Sequence, residues 1–280
     1  MRLFSFFVLI GNILFLGSCK KHVPADKAFF LQSSSVGVTT STIINQGSGT
    51  HNITDFWLYT NGKFQGVYPV GSIMPIISKG ERTKINLFGG IKNNGISNTR
   101  LSWVFYNFIT IDTLVENGKI INRPINFTYN SNTIFDWLED FEGSGISLIN
   151  SAVSQTTLVP VLQPEALDNK SIKMQLTGSQ TMGLAESSIS YVLPTGSSNV
   201  YLEIDYKSNQ EFEVGLIGSS DDLKPAIYVT PKDNWSHIYI QLSNAVSSGN
   251  VSSSYRVYFR MVKTADYPVL YLDNIKLMHL

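Results

Sequence analysis

Cysteine is nearly missing: Cys19 is the single one in 280 residues. No disulfide can form within the chain, so the fold must hold by its cores alone, which domains of over about 100 residues can do. Charge is sparse as well. Only 15% of residues are charged, against the usual quarter. Lys+Arg and Asp+Glu balance at 21 each, so no basic excess points to nucleic acid and no acidic tail to a cationic partner. The histidines are His22, His51, His237 and His279, and none falls at zinc-ligand spacing. There is no Gly-x-Ser-x-Gly elbow, no phosphate-binding Gly-Lys-Ser/Thr loop and no dinucleotide fingerprint. Beyond the first residues, no apolar run reaches the roughly 18 residues of a membrane span. No capped helical pattern of ten residues appears either.

What is present is aromatic and polar. Aromatics make up 12%, with 13 Tyr and 16 Phe, amid abundant Ser, Thr, Asn and Gly. That is the make-up of β-structure with polar loops. The first residues differ. Arg2, an apolar run from Leu3 to Phe15 and small residues before Cys19 form a secretory signal. The run, about 13–15 residues, is short for a span. Leu16-Gly17-Ser18-Cys19 resembles the bacterial lipobox, in which the cysteine is acylated and becomes the first mature residue. The resemblance implies residues 1–18 as signal peptide, 19–27 as a polar tether, and lipid attachment (palmitate among the chains) at Cys19. Two or more acyl chains anchor stably. The expected location is the outer membrane, with the leaflet left open, because Lys20 and Lys21 stand where surface-exported lipoproteins carry acids.

The mature chain of about 260 residues suggests two domains. From Ala28 it reads as strands. Ile53 to Thr60 leads into Asn61-Gly62 and returns from Lys63 to Tyr68, a type I′ hairpin signal. Thr83 to Phe88 alternates cleanly. A Gly/Asn-rich loop, residues 89–100, precedes Leu101 to Tyr106. Asp55-x-Trp57-x-Tyr59, Gly66-x-Tyr68 and Gly90-Ile91-x-x-Asn94-Gly95-Ile96-Ser97-x-Thr99-Arg100 resemble a family of uncharacterised Bacteroidota lipoproteins. The resemblance implies a β-sandwich over residues 28–136 and no established enzymatic activity.

Residues 137–280 hold nine further alternating segments separated by turns, from Leu158–Leu162 to Val269–Leu277. That pattern reads as a jelly roll or related sandwich. The expected fold is all-β, with two tandem β-sandwich domains. Phe141-Glu142-Gly143 and Tyr271-Leu272-Asp273 resemble the ends of carbohydrate-binding jelly rolls. In that resemblance Glu142 and Asp273 would help hold a structural calcium, an ion that wants six to eight oxygens.

Asp136, Glu139, Asp140 and Glu142 cluster, yet in an inter-domain turn they read as a solvated linker. His237 reads as half-exposed. Of four tryptophans, Trp103 beside the Gly/Asn loop is expected at the surface, with Arg100 as its companion. Trp57 and Tyr59 are further candidate contacts, for a sugar face or for a protein interface. The sequence thus points to a non-enzymatic outer-membrane lipoprotein. It would act as a binding or scaffolding subunit of an envelope complex for uptake, secretion or barrel assembly, with an outer-membrane barrel protein as partner. The alternative is a glycan-binding lipoprotein of a polysaccharide-uptake system.

Overall fold

The computed structural model describes residues 27–78, 80–196, 199–248 and 251–280. The signal segment, Cys19 and His22 lie outside them. The chain is all-β and forms two sandwiches. Its single described α-helix, α1, is Ser243–Ser247.

The first sandwich contains β1 (Ala28–Thr39), β2 (Asp55–Thr60), β3 (Lys63–Pro69), β4 (Ile73–Ile77), β5 (Thr83–Lys92), β6 (Arg100–Ser102), β7 (Ile109–Thr113) and β8 (Ile120–Thr128). One layer is the three-stranded sheet β4-β1-β8, in which β8 runs parallel to β1. The other is β3-β2-β5, with β6 and β7 sharing the free edge of β5. Alternation decides which side chains meet between the layers. Phe29, Leu31, Phe56, Leu58, Met74, Ile76, Ile85, Leu87 and Phe127 point inward and are buried. The β2–β3 turn forms as its residues dictate: Asn61 and Gly62 take φ of 49° and 78°, the positive pair that a type I′ turn requires.

The second sandwich stacks β10 (Leu148–Asn150), β13 (Met182–Ser187), β18 (Arg256–Val262), β15 (Phe212–Ile217) and β16 (Leu223–Val229) on a second layer. That layer runs β11 (Leu158–Leu162), β12 (Lys170–Gln175), β19 (Val269–His279), β14 (Val200–Ser208) and β17 (Lys232–Gln241). β9 (Ile134–Glu139) joins it along the end of β19. Leu202, Ile204, Val214, Leu216, Val257, Phe259, Leu272 and Leu277 form its core.

The two sandwiches share buried surface. Tyr201, Tyr239 and Met278 stand on the outer face of the β19-β14-β17 layer, yet they belong to the core cluster of the first sandwich. The Gly/Asn-rich loop makes the joint. Asn94 donates its backbone N–H to the Tyr239 carbonyl at 2.8 Å and accepts the Gln241 N–H on its side chain at 2.8 Å. The loop therefore caps the edge strand β17, satisfying backbone groups that an open edge would leave unpaired.

Candidate functional site

On the β3-β2-β5 sheet, Phe56 and Leu58 fill the core, so Trp57 and Tyr59 must face outward. Across the ladder they meet Phe64 and Phe88. Ring centroids are 5.8 Å apart for Trp57–Phe64, 5.3 Å for Tyr59–Phe64, 5.3 Å for Tyr59–Phe88 and 4.9 Å for Phe88–Phe108. Five rings thus form one connected row from β3 to the residue before β7. Phe64, on the edge strand β3, and Phe108, at the far end, are each 50% exposed. Such pairs gain about 0.5–1.5 kcal/mol each beyond area burial. Rings left open to water in a contiguous patch are the mark of an interaction face.

At one flank of the row sits Asp55, fully buried. Its Oδ2 accepts from the Thr54 hydroxyl at 2.8 Å and lies 3.4 Å from Arg100 Nη1. Gly90 makes room for this group: a Cβ there would stand 1.9 Å from Asp55 Oδ1 and 3.0 Å from Trp57 Cδ1. Trp57, Tyr59 and Arg100 are therefore brought to one face.

Trp103 is not among them. It is 1% exposed, which corrects the expectation of a surface tryptophan. Its backbone N–H donates to the Gly89 carbonyl at 2.8 Å. The ring packs edge-on at 4.7 Å from both Tyr201 and Tyr239 of the second sandwich. The loop beside it is covered by a neighbouring domain, which local sequence does not reveal.

The shared joint holds a buried polar network that the sequence reading missed. Tyr129 donates to Glu203 Oε2 at 2.6 Å, and Lys276 donates to the Tyr129 hydroxyl at 2.9 Å and to the Ser48 carbonyl. His237 Nδ1 lies 2.9 Å from Asp205 Oδ1, and Asn274 donates to Asp205 Oδ2 at 3.0 Å. Burial pushes the Lys276 ammonium below its ordinary pKa, against the pull of Glu203. Burial also pushes Asp205 up, but the hydrogen bond and charge of His237 outweigh it and hold the carboxyl low. Contrary to expectation, His237 is only 7% exposed. His237 and Asp205 are two parts of a triad, but a triad needs a hydroxyl on the far nitrogen. Among the described residues Nε2 has no hydrogen-bond partner, and the nearest carboxylate oxygen, on Glu203, is 3.8 Å away. The pair has no nucleophile to activate. Both residues belong to the second sandwich, and Asn52 of the first reaches them by donating its side-chain N–H to the His237 carbonyl at 3.0 Å. Strand alternation gave the signal for outward-facing Glu203 and Asp205, but not that a second domain covers them.

Past this covered zone the outer face of the same sheet opens. Trp235 and Tyr271 stand 6.2 Å apart, and Lys207 Nζ lies 4.4 Å from the Tyr271 centroid and 5.4 Å from that of Trp235. Lys173 flanks Tyr271 at 5.9 Å. All four are half-buried. Beside the joint, a cleft of about 380 Å³ is lined by Asn52, Lys92, Asn94, Tyr228 and Lys232, among others.

Of the carboxylates at residues 136–142, Asp140 is exposed as expected, but Glu139 is not solvated. Glu139 is 6% exposed and accepts from the N–H groups of Phe141 and Ser147 and from the Ser147 hydroxyl. β9 carries it into the second sandwich, and it fixes the turn that follows. Glu142 and Asp273 do not fit a calcium site. Glu142 Oε1 accepts the N–H groups of Asn169 and Lys170, which hold its carboxyl below the usual range. The Lys170 ammonium donates to the carbonyls of Glu142 and Gly143, at 3.1 and 3.0 Å. That is a cation already on the oxygens an ion would need. Asp273 is committed to the Ser171 hydroxyl and the Asn274 N–H. Among the described residues no group of three or more His, Cys, Asp and Glu is placed to hold a metal, and no helix is long and apolar enough to cross a membrane.

These features define an all-β, two-sandwich chain with an open aromatic face. No protein-family model matches the sequence, and no curated protein does. Solved structures similar to the chain include carbohydrate-binding modules. A family 11 module of a cellulosomal cellulase from Clostridium thermocellum is 17% identical, covers 54% of this chain and 97% of its own, and has a TM-score of 0.39. A family 29 module complexed with mannohexaose is 10% identical over 52% of this chain and 92% of its own, with a TM-score of 0.36. A family 29 module complexed with cellulohexaose is 11% identical over 53% and 93%, with a TM-score of 0.35. At these scores the likeness carries no argument about ligand.

Proposed function

We propose that this chain is a non-catalytic lipoprotein, held in the outer membrane by lipid on Cys19, that binds another envelope protein through the outer face of its β3-β2-β5 sheet. The observation that carries the proposal is the row Phe64, Trp57, Tyr59, Phe88 and Phe108, with Arg100 at its flank. Aromatic residues and Arg are what the cores of protein interfaces are enriched in. The expected partner is an outer-membrane barrel protein or a complex built on one. Affinity purification from gently solubilised native membranes, with the tag at the C-terminus so that Cys19 stays free, tests this. A stoichiometric partner supports the reading; recovery of the lipoprotein alone counts against it.

A second reading has its own observation. Trp235, Tyr271, Lys207 and Lys173 offer two rings and two donors on one open sheet face, a set suited to a glycan. Retention on a glycan array that Trp235→Ala abolishes would support it. Folded protein that binds no glycan would remove it.

A further inference from the structure

The three-stranded sheet of the first sandwich gives one face to the core and leaves the other bare. Its ladder pairs Ala28 with Ile77, Phe30 with Pro75 and Gln32 with Ile73, and places Ile120 beside Phe30. Cross-strand partners share a face. Phe29, Leu31, Met74 and Ile76 are the inward set and are buried. Ala28, Phe30, Gln32, Ile73, Pro75, Ile77 and Ile120 are therefore the outward set. Ile73, Ile77 and Ile120 are 48%, 56% and 54% exposed. An antiparallel or mixed sheet with one face in water ordinarily carries polar residues there; apart from Gln32, this end of the sheet carries apolar ones.

The position of the patch matters. It lies at the start of β1, and only the eight residues Lys20 to Lys27 separate Cys19 from Ala28. Fully extended, at about 3.3–3.6 Å each, they reach no more than roughly 30 Å. The patch is thus tethered close to the anchor. Its chemistry differs from that of the aromatic row as well. It has Ile, Pro and Phe but no Trp, Tyr or Arg, and so offers non-directional burial without the hydrogen-bonding anchors of a protein interface.

We infer that this face lies on the lipid surface, with Ile73, Ile77, Ile120 and Phe30 set at the headgroup–acyl boundary. The exposed Lys27 and Lys119 sit at its rim. The inference rests on the lipid-anchor reading of Cys19. It has a geometric consequence. The aromatic row is on the opposite layer of the same sandwich, so it points away from the membrane, where a partner can reach it.

With Cys19 blocked by lipid, single thiols can be added by Ile77→Cys, Ile120→Cys and, on the opposite layer, Thr110→Cys. Each full-length lipoprotein is reconstituted in vesicles, labelled with a fluorophore and exposed to a lipid-borne nitroxide or to aqueous iodide. All three sites are on the surface, and an unchanged melting curve confirms the fold. The expected result is about twofold or more stronger lipid quenching at 77 and 120 than at 110, with iodide quenching in the reverse order. Weak lipid quenching at all three sites, with acylation of Cys19 confirmed by mass, overturns the inference and leaves the anchor standing. Labels at 77 and 120 hidden from both quenchers mean a protein covers the face, and overturn it too. Absence of lipid on Cys19 overturns the anchor reading itself, and the inference falls with it.

Discussion

The Tyr129 hydroxyl of the first sandwich donates a 2.6 Å hydrogen bond to Glu203 of the second. The same oxygen accepts from Lys276, so one phenol links two opposite charges that are both buried. Tyr129→Phe leaves both without that partner. The expected cost is about 1–3 kcal/mol, read as a lower denaturation midpoint. Glu203→Leu is expected to cost about 3–5 kcal/mol, because it strands the Lys276 ammonium, whereas Glu203→Leu with Lys276→Met recovers most of the loss.

Asp273 gives the joint sheet a pH dependence. Burial, reinforced by the nearby charges of Asp168 and Asp205, raises its pKa to about 7, against the bonds from Ser171 and Asn274. The folded value lies above the unfolded one of 3.8, so between the two the native state binds more protons. Stability then falls as pH rises from about 4 to 7. Asp205, held low, acts in the opposite sense, so the comparison must be made with Asp273→Asn. The stability of the native chain relative to that variant is expected to decline over this window and to be flat below it, as measured by urea titrations at stepped pH.

Gly90 is a packing residue for the aromatic face. A Cβ there would collide with Asp55 Oδ1, and Asp55 is held by Thr54 and Arg100. Gly90→Ala is expected to cost about 1–3 kcal/mol by overpacking and to shift the fluorescence of the adjacent Trp57. An unchanged midpoint and spectrum would contradict this placement.

Trp103→Ala is expected to cost about 3–5 kcal/mol. The ring fills the space between the sandwiches against Phe105, Tyr201 and Tyr239. Loss of binding without loss of stability would instead restore it to the surface.

Strands were legible as short apolar or alternating runs between turn residues. Leu158–Leu162, largely exposed, and Phe212–Ile217, buried on both faces, fall at their expected bounds, and Asn61-Gly62 makes its turn. Alternation with Phe56 and Leu58 puts Trp57 and Tyr59 together on the other face of β2, whereas Arg100 was singled out only as a companion of Trp103. The placements of Trp103 and His237 were not legible. Both occupy positions that would face water in an isolated domain and are buried only because the second sandwich covers the first. β10, three residues long, is too short to carry a pattern. The Asn94–Gly95 loop read as long and specific, but its role in capping β17 depends on a strand about 140 residues away, which no local window contains.

The central claim is that the aromatic row binds a partner. Phe64→Ser with Phe108→Ser removes its two most exposed rings and touches neither core. The decisive measurement is the ratio of partner to lipoprotein after purification from native membranes, for the native chain and for this variant at equal abundance. The account predicts a near-equal ratio for the native chain and at least about a tenfold drop for the variant, since hot-spot aromatics are worth about 2 kcal/mol or more each. The same partner recovered in the same ratio from both would contradict it.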